Sequence, residues 1–157
     1  MKRLYWYYTG LLALSCSCGF GWQKTMVFRS PYGHDDIAIW QKGPDNSWAA
    51  KVEVSMDHRR TELITVREAF IYFVHVYWSS DGSRVGVLTA GSTPVHVAYD
   101  LKLHKNIPFT EIRDEVARSI RTAYHLSDAQ DPLRWAESPQ ASDAFFRLHP
   151  EIHVFYR

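Results

Sequence analysis

The segment that most constrains the fold is residues 70–90, where two apolar runs flank the turn sequence Ser79-Ser80-Asp81-Gly82-Ser83. Asp81-Gly82 suits a two-residue type I′ turn, because both central positions of that turn need positive φ. The first run, 70–78, is apolar at odd and even positions, which is typical of a strand covered on both faces. The sequence therefore predicts a hairpin whose first strand is central in its sheet and covered on both faces. Its expected cross-strand pairs are Trp78 with Val85, Val76 with Val87 and Val74 with Thr89.

Short β-branched and aromatic runs fill most of the remaining chain from Thr25 to about Asp100, and turn residues separate them. This pattern predicts a series of antiparallel strands. Besides the hairpin, the predicted strands are 25–28, 37–40, 48–54, 62–66 and 95–99. Residues 152–156 are a further candidate at the end of the chain.

The hydrophobic period then changes from two to between three and four. Phe109, Ile112, Val116, Ile120 and Ala123 would form one apolar stripe of a helix over about 109–125, with Thr110 as its N-cap. Proline one residue after a polar cap predicts shorter helices from Asp131-Pro132 and from Ser138-Pro139, with Ser142-Asp143 as another possible start. The predicted fold class is α+β, an antiparallel meander sheet of about five to seven strands with a long amphipathic helix and one or two short C-terminal helices packed on it.

The beginning of the chain has the pattern of an export signal. Met1-Lys2-Arg3 supplies the positive charge, and residues 4–14 are mostly apolar and uncharged. Eleven helical residues span roughly 16 Å, about half of the hydrocarbon core of a bilayer, which favours a cleaved signal over an ordinary membrane span. The expected organisation is a signal at 1–18, a short tether at 19–24 and a single domain at 25–157.

The segment Ala13-Leu14-Ser15-Cys16-Ser17-Cys18-Gly19 resembles the lipobox of bacterial lipoproteins. The resemblance implies that Cys16 or Cys18 is lipidated and tethers the domain to a membrane in the cell envelope, in the periplasm or at the cell surface. The leucine usual three positions before the cysteine is Ala13 or Ser15 here. Ala13 and Ser15 also form an A-x-A-like site, so ordinary secretion with cleavage before Cys16 stays open. An uncleaved N-terminal helix is the third alternative. These are the only two cysteines, which excludes a disulfide in the folded domain.

Two resemblances to known families accompany these features. The hairpin sequence around Trp78-Ser79-Ser80-Asp81-Gly82 is similar to the W-S-x-D-G hairpin of TolB-like β-propeller blades. It occurs once, and a propeller needs at least four blades of about 40 residues, so we interpret it as a well-formed hairpin rather than a blade. The whole layout resembles short uncharacterised bacterial lipoproteins, which implies a location but no activity.

Charge and motifs exclude several classes of function. The chain has 18 Lys and Arg against 17 Asp and Glu, and loss of Lys2 and Arg3 with the signal would leave no excess of cations for nucleic acid. Neither a G-x-S-x-G elbow nor a phosphate-binding glycine motif occurs, so no cofactor is expected.

The histidine groups at His34-Asp35-Asp36, Asp57-His58 and His149 with His153 have no diagnostic ligand spacing, and no metal site is predicted. His75 and His96 lie on adjacent predicted strands and could approach each other as a catalytic or ligand pair, although a histidine inside an apolar strand usually finds local partners for its ring nitrogens.

The aromatic residues are the other lead to function. Trp22, Trp40, Trp48, Trp78 and Trp135 follow the signal, and we expect most of them in the core. Exposed, they would form a platform for an envelope protein or a glycan. The leading hypothesis is a membrane-tethered, non-catalytic binding or accessory protein of the cell envelope. The alternatives are a small envelope hydrolase that uses His and carboxylates, and an inhibitor or immunity-type protein.

Overall fold

The computed structural model describes residues 21–33, 35–43, 49–127 and 130–149. The predicted signal, both cysteines and the predicted strand 152–156 lie outside these residues. Trp48, His34 and His153 lie outside them as well.

The first four strands form one antiparallel meander, here called sheet A. Its strands are β1 (Trp22–Arg29), β2 (Asp36–Lys42), β3 (Ala49–Met56) and β4 (Arg59–Arg67), in the order β1-β2-β3-β4. β1 therefore begins inside the segment predicted as a tether. In β3 the buried residues alternate with half-buried polar ones, because one face of the sheet is packed and the other is not.

The next four strands form a second antiparallel meander, sheet B. They are β5 (Ile71–Trp78), β6 (Arg84–Gly91), β7 (His96–Asp100) and β8 (Lys105–Ile107), in the order β5-β6-β7-β8. The predicted register of the hairpin is confirmed, with Trp78 opposite Val85, Val76 opposite Val87 and Val74 opposite Thr89. The predicted turn type is wrong, because of its two central residues Gly82 has positive φ and Asp81 does not. Ser79 N–H instead donates to Arg84 C=O across a longer loop.

The helices follow sheet B and partly match the prediction. A 3₁₀ turn (Phe109–Glu111) precedes α1 (Arg113–Tyr124), and a second 3₁₀ turn (Arg134–Ala136) precedes α2 (Pro139–Leu148). The expected cap at Thr110 is wrong, since the 3₁₀ turn includes this residue and Ile112 holds the N-cap position without a side-chain bond. Ser138 caps α2 as predicted, accepting a hydrogen bond from Ala141 N–H.

The elements stack in three layers, with sheet B in the middle. Sheet A and sheet B enclose the inner core, which includes Ile37, Val52 and Val87. The other face of sheet B and the helices enclose the helix core, which includes Leu88, Ile120 and Trp135. The α+β class is confirmed, and the expectation of a single sheet with five to seven strands is wrong. The strands divide after β4, where Glu68 adopts a left-handed φ of 52° and the fully buried Ala69 leads the chain into the second sheet.

Candidate binding face

The outer face of sheet A, here called the open face, presents four cross-strand rows of side chains. Neither core includes a side chain from these rows. From the end where β1 begins, the rows are Trp22, Lys42, Ala49 and Arg67; then Lys24, Trp40, Lys51 and Thr65; then Val27, Ala38, Glu53 and Glu62; then Arg29, Asp36, Ser55 and Arg60.

Trp40 is the centre of a group of cations on the open face. Lys24 Nζ lies 5.0 Å from the centroid of its ring, Lys51 Nζ 5.1 Å and Arg60 Cζ 5.9 Å. Lys51 Nζ is also 5.1 Å from the ring of Trp22. A cation within about 6 Å of an aromatic centroid is attracted by the ring quadrupole, so these contacts hold the two indoles against the sheet. The Trp40 indole N–H has no hydrogen-bond partner among the described residues.

The open face carries an excess of positive charge. Its rows contain six Lys and Arg against three Asp and Glu, leaving 12 and 14 for the rest of the chain. One cation is paired within the face, since Lys51 Nζ lies 2.7 Å from Glu53 Oε1. A shallow depression beside this pair is lined by Lys24, Asp36, Ala38, Glu53, Ser55 and Arg60. The face can therefore present cations and indoles together to a flat partner.

His75 is the second chemically notable residue, and it is buried between β5 and α1. Its Nε2 lies 2.8 Å from Ser119 Oγ, and its Nδ1 lies 3.2 Å from Tyr124 Oη. Burial lowers the pKa of His75 to about 4, so the imidazole is neutral at physiological pH. A serine hydroxyl, an imidazole and an orienting group in series have the connectivity of a nucleophile, base and orienter.

The surroundings of Ser119 provide little for acyl transfer. Ser119 lies in the middle of α1, where the backbone N–H groups are used within the helix and cannot form an oxyanion hole. A second side-chain hydrogen bond joins β5 to α1, in which Tyr77 Oη donates to Glu115 Oε2 at 2.7 Å. Burial, and to a smaller extent this hydrogen bond, raises the pKa of Tyr77. The hydrogen bonds of His75 and Tyr77 therefore join α1 to β5, the edge strand of sheet B.

The structure separates His75 from His96. β6 lies between β5 and β7, and Leu88 stands between His75 and His96 in the same row, so the expectation of adjacent strands is wrong. His96 Nε2 lies 2.6 Å from Ala136 C=O and its ring packs against Phe109. Both histidines therefore have local structural partners.

The other histidine groups do not converge within the part of the chain that is described. No group of three or more His, Cys, Asp or Glu among these residues could hold a metal ion. His58 is exposed at the β3–β4 turn, and His149 Nε2 contacts Gln130 Nε2 at 3.2 Å. Arg59 and Arg60 follow this turn as the first residues of β4.

The aromatic residues divide between core and surface. Trp135 is fully buried in the helix core, and the half-buried Trp78 packs against the inner core. Trp22 and Trp40 are half-buried on the open face, outside the core that was expected for most of the tryptophans. The signal that could have placed Trp40 is the alternation of β2, where Ile37, Ile39 and Gln41 occupy one face and leave Trp40 on the other.

In comparisons with known proteins, no family model, no curated protein and no solved structure matches this chain. Over the described ranges, none of the helices has the length and apolar character needed to cross a membrane.

Proposed function

We propose that this protein is an extracytoplasmic lipoprotein, tethered through Cys16 or Cys18, that binds an anionic partner with the open face of sheet A as a non-catalytic accessory protein of the cell envelope. The observation that carries the binding role is the Trp40 ring contacted by Lys24, Lys51 and Arg60 on a face that contributes to neither core. The tether rests on the signal pattern and the lipobox resemblance of the sequence.

The chemistry of the face supports an anionic partner. Indoles present a large, rigid apolar area, and Trp and Arg are enriched where proteins make contact. Six cations against three carboxylates attract negative charge, and a flat sheet suits an extended partner better than a small molecule held in a cleft. The face is therefore suited to recognition rather than to chemistry on a substrate.

Binding can be tested on a heparin column, which serves as a generic polyanion. We expect the chain to be retained at low salt and released by salt, because exposed charges are screened beyond about 8–10 Å at physiological salt. The double variant Lys24→Glu, Arg67→Glu alters two exposed cations of the face and should elute much earlier. The matched control Lys105→Glu, Arg118→Glu makes the same charge change at exposed positions elsewhere and should elute near the wild type. Equal losses in both variants would show attraction to net charge alone and contradict a binding face.

The tether needs its own experiment, which is intact mass spectrometry of the chain recovered from membranes. A chain that begins at Cys16 or Cys18 and carries acyl groups is expected. The variants Cys16→Ser and Cys18→Ser identify the modified residue, since only one of them should abolish the mass gain. A soluble, unmodified product that begins at Cys16 or later would overturn the tether and leave the binding face to be judged by the column.

A second candidate function is a small hydrolase, and the observation that favours it is the 2.8 Å contact between Ser119 Oγ and His75 Nε2. A fluorophosphonate probe followed by peptide mass spectrometry tests it. Because α1 offers no oxyanion donors at Ser119, we expect no adduct there. An adduct on Ser119 that disappears in the Ser119→Ala variant would establish the enzyme instead of the binding protein.

A further inference from the structure

The charges of the open face are unevenly distributed between its two ends. The two rows nearest the start of β1 contain four cations and both indoles, and we call these rows the basic end. All three carboxylates of the face lie in the other two rows. The basic end consists of Trp22, Lys42, Ala49, Arg67, Lys24, Trp40, Lys51 and Thr65.

The basic end is also the end at which the chain enters sheet A. β1 begins at Trp22, four residues after Cys18 and six after Cys16. Fully extended, these intervals span at most about 14 Å and about 21 Å. A lipid on either cysteine would thus keep the basic end close enough to come within one Debye length, about 8 Å, of the membrane surface, where negative headgroups attract its cations.

Anionic lipid headgroups match the residue types of the basic end. Indole rings favour the membrane–water interface, where the apolar ring and the polar N–H are both accommodated. Each Lys or Arg near an anionic surface strengthens association by about fivefold.

We propose that the basic end of the open face docks on anionic lipid headgroups beside the anchor, so that sheet A lies against the membrane and the helical layer points away from it. This inference rests on the tether and on the anionic partner of the proposed function. It identifies that partner as the membrane itself rather than an acidic protein or glycan. Lys51 contributes less than the other cations, because Glu53 already pairs with it.

Lysine footprinting can test this docking with an internal control. The full chain is reconstituted into phosphatidylcholine vesicles, with or without about one third phosphatidylglycerol, acetylated with a membrane-impermeant reagent and analysed by mass spectrometry. Lys24, Lys42 and Lys51 report on the basic end, whereas Lys102 and Lys105 of the β7–β8 region report on sheet B. We expect the ratio of modification between the two groups to fall about tenfold when the anionic lipid is present.

The outcomes separate the docking from the proposed function. In Lys24→Glu, Arg67→Glu the protection of Lys42 and Lys51 should be lost, and in Lys105→Glu, Arg118→Glu it should remain. If the chain associates with both kinds of vesicle and the ratio of lysine modification is the same on each, the lipid docking is overturned. Retention on the polyanion column would then still support an anionic protein or glycan as partner. A chain that associates with neither vesicle overturns the tether and the docking together.

Discussion

His75 gives the fold a pH dependence that can be assigned to one residue. His75 is 8% exposed, both of its ring nitrogens have partners, and burial lowers its pKa from 6.5 to about 4. Between these values the unfolded chain takes up a proton at this ring and the folded chain does not. The free energy of unfolding should therefore be greatest above about pH 6.5 and fall by up to about 3 kcal/mol toward pH 4. Urea unfolding at several pH values measures this slope.

The variant His75→Gln isolates the contribution of this ring. It cannot take up the proton, so its stability should be lower at neutral pH but should change less between pH 6.5 and 4. His104→Asn is the matched control, because His104 is exposed and asparagine tolerates its positive φ of 51°. An unchanged slope in His75→Gln would show that other groups cause the acid sensitivity.

Single side chains were the least predictable feature of the protein. The apolar surroundings of His75 could be read from 70–78, but its partner Ser119 lies 44 residues away on a helix. Gln41 is a similar case, since it is fully buried, donates to Ile71 C=O and accepts from Ile71 N–H across the sheets. Such partners depend on how two elements pack, and no local pattern contains that information.

At the scale of elements, Gly86 determines how closely α1 approaches sheet B. A Cβ at this position would lie 2.7 Å from Ile112 Cδ1 and 3.0 Å from Val116 Cγ2. Gly86→Ala should therefore push the helix from the sheet and lower the free energy of unfolding by about 1–3 kcal/mol. Chemical denaturation followed by circular dichroism measures the loss.

A double-mutant cycle tests whether the Ile112 contact causes that loss. Ile112→Val removes the Cδ1 atom that the new Cβ would meet, at a cost of about 0.5–1.5 kcal/mol by itself. The double variant should lose less free energy of unfolding than the sum of the two single losses, because the new Cβ no longer meets Cδ1. Strict additivity would place the strain of Gly86→Ala elsewhere.

The elements themselves were predicted better than their arrangement. The hairpin register and α2 with its Ser138 cap followed from local patterns, because turn residues and caps act over a few positions. β8 was missed, since Lys105-Asn106-Ile107 is short and mostly polar. The division into two sheets depends on the left-handed Glu68, a conformation that no residue type signals reliably.

For the molecule as a whole, the open face could be predicted only in part. The alternation of β2 and β3 separates apolar from polar positions, so an exposed sheet face with charged residues is foreseeable. The grouping of Lys24, Trp40 and Lys51 requires the cross-strand register, including the irregularity in β1 between Lys24 and Met26. The candidate site therefore appeared only when the strands were aligned.

The three-layer arrangement predicts that both cores unfold together, because sheet B supplies side chains to each. Val52→Ala in the inner core should cost about 1–3 kcal/mol and Ile120→Ala in the helix core about 2–5 kcal/mol, since both residues are at most 1% exposed. Each variant should lower one common transition, with circular dichroism and tryptophan fluorescence giving the same midpoint. Lys105→Ala, an exposed substitution, should leave the midpoint unchanged. If Ile120→Ala separated a helical transition from a later loss of the sheets, the layers would be independent and sheet B would not couple the cores.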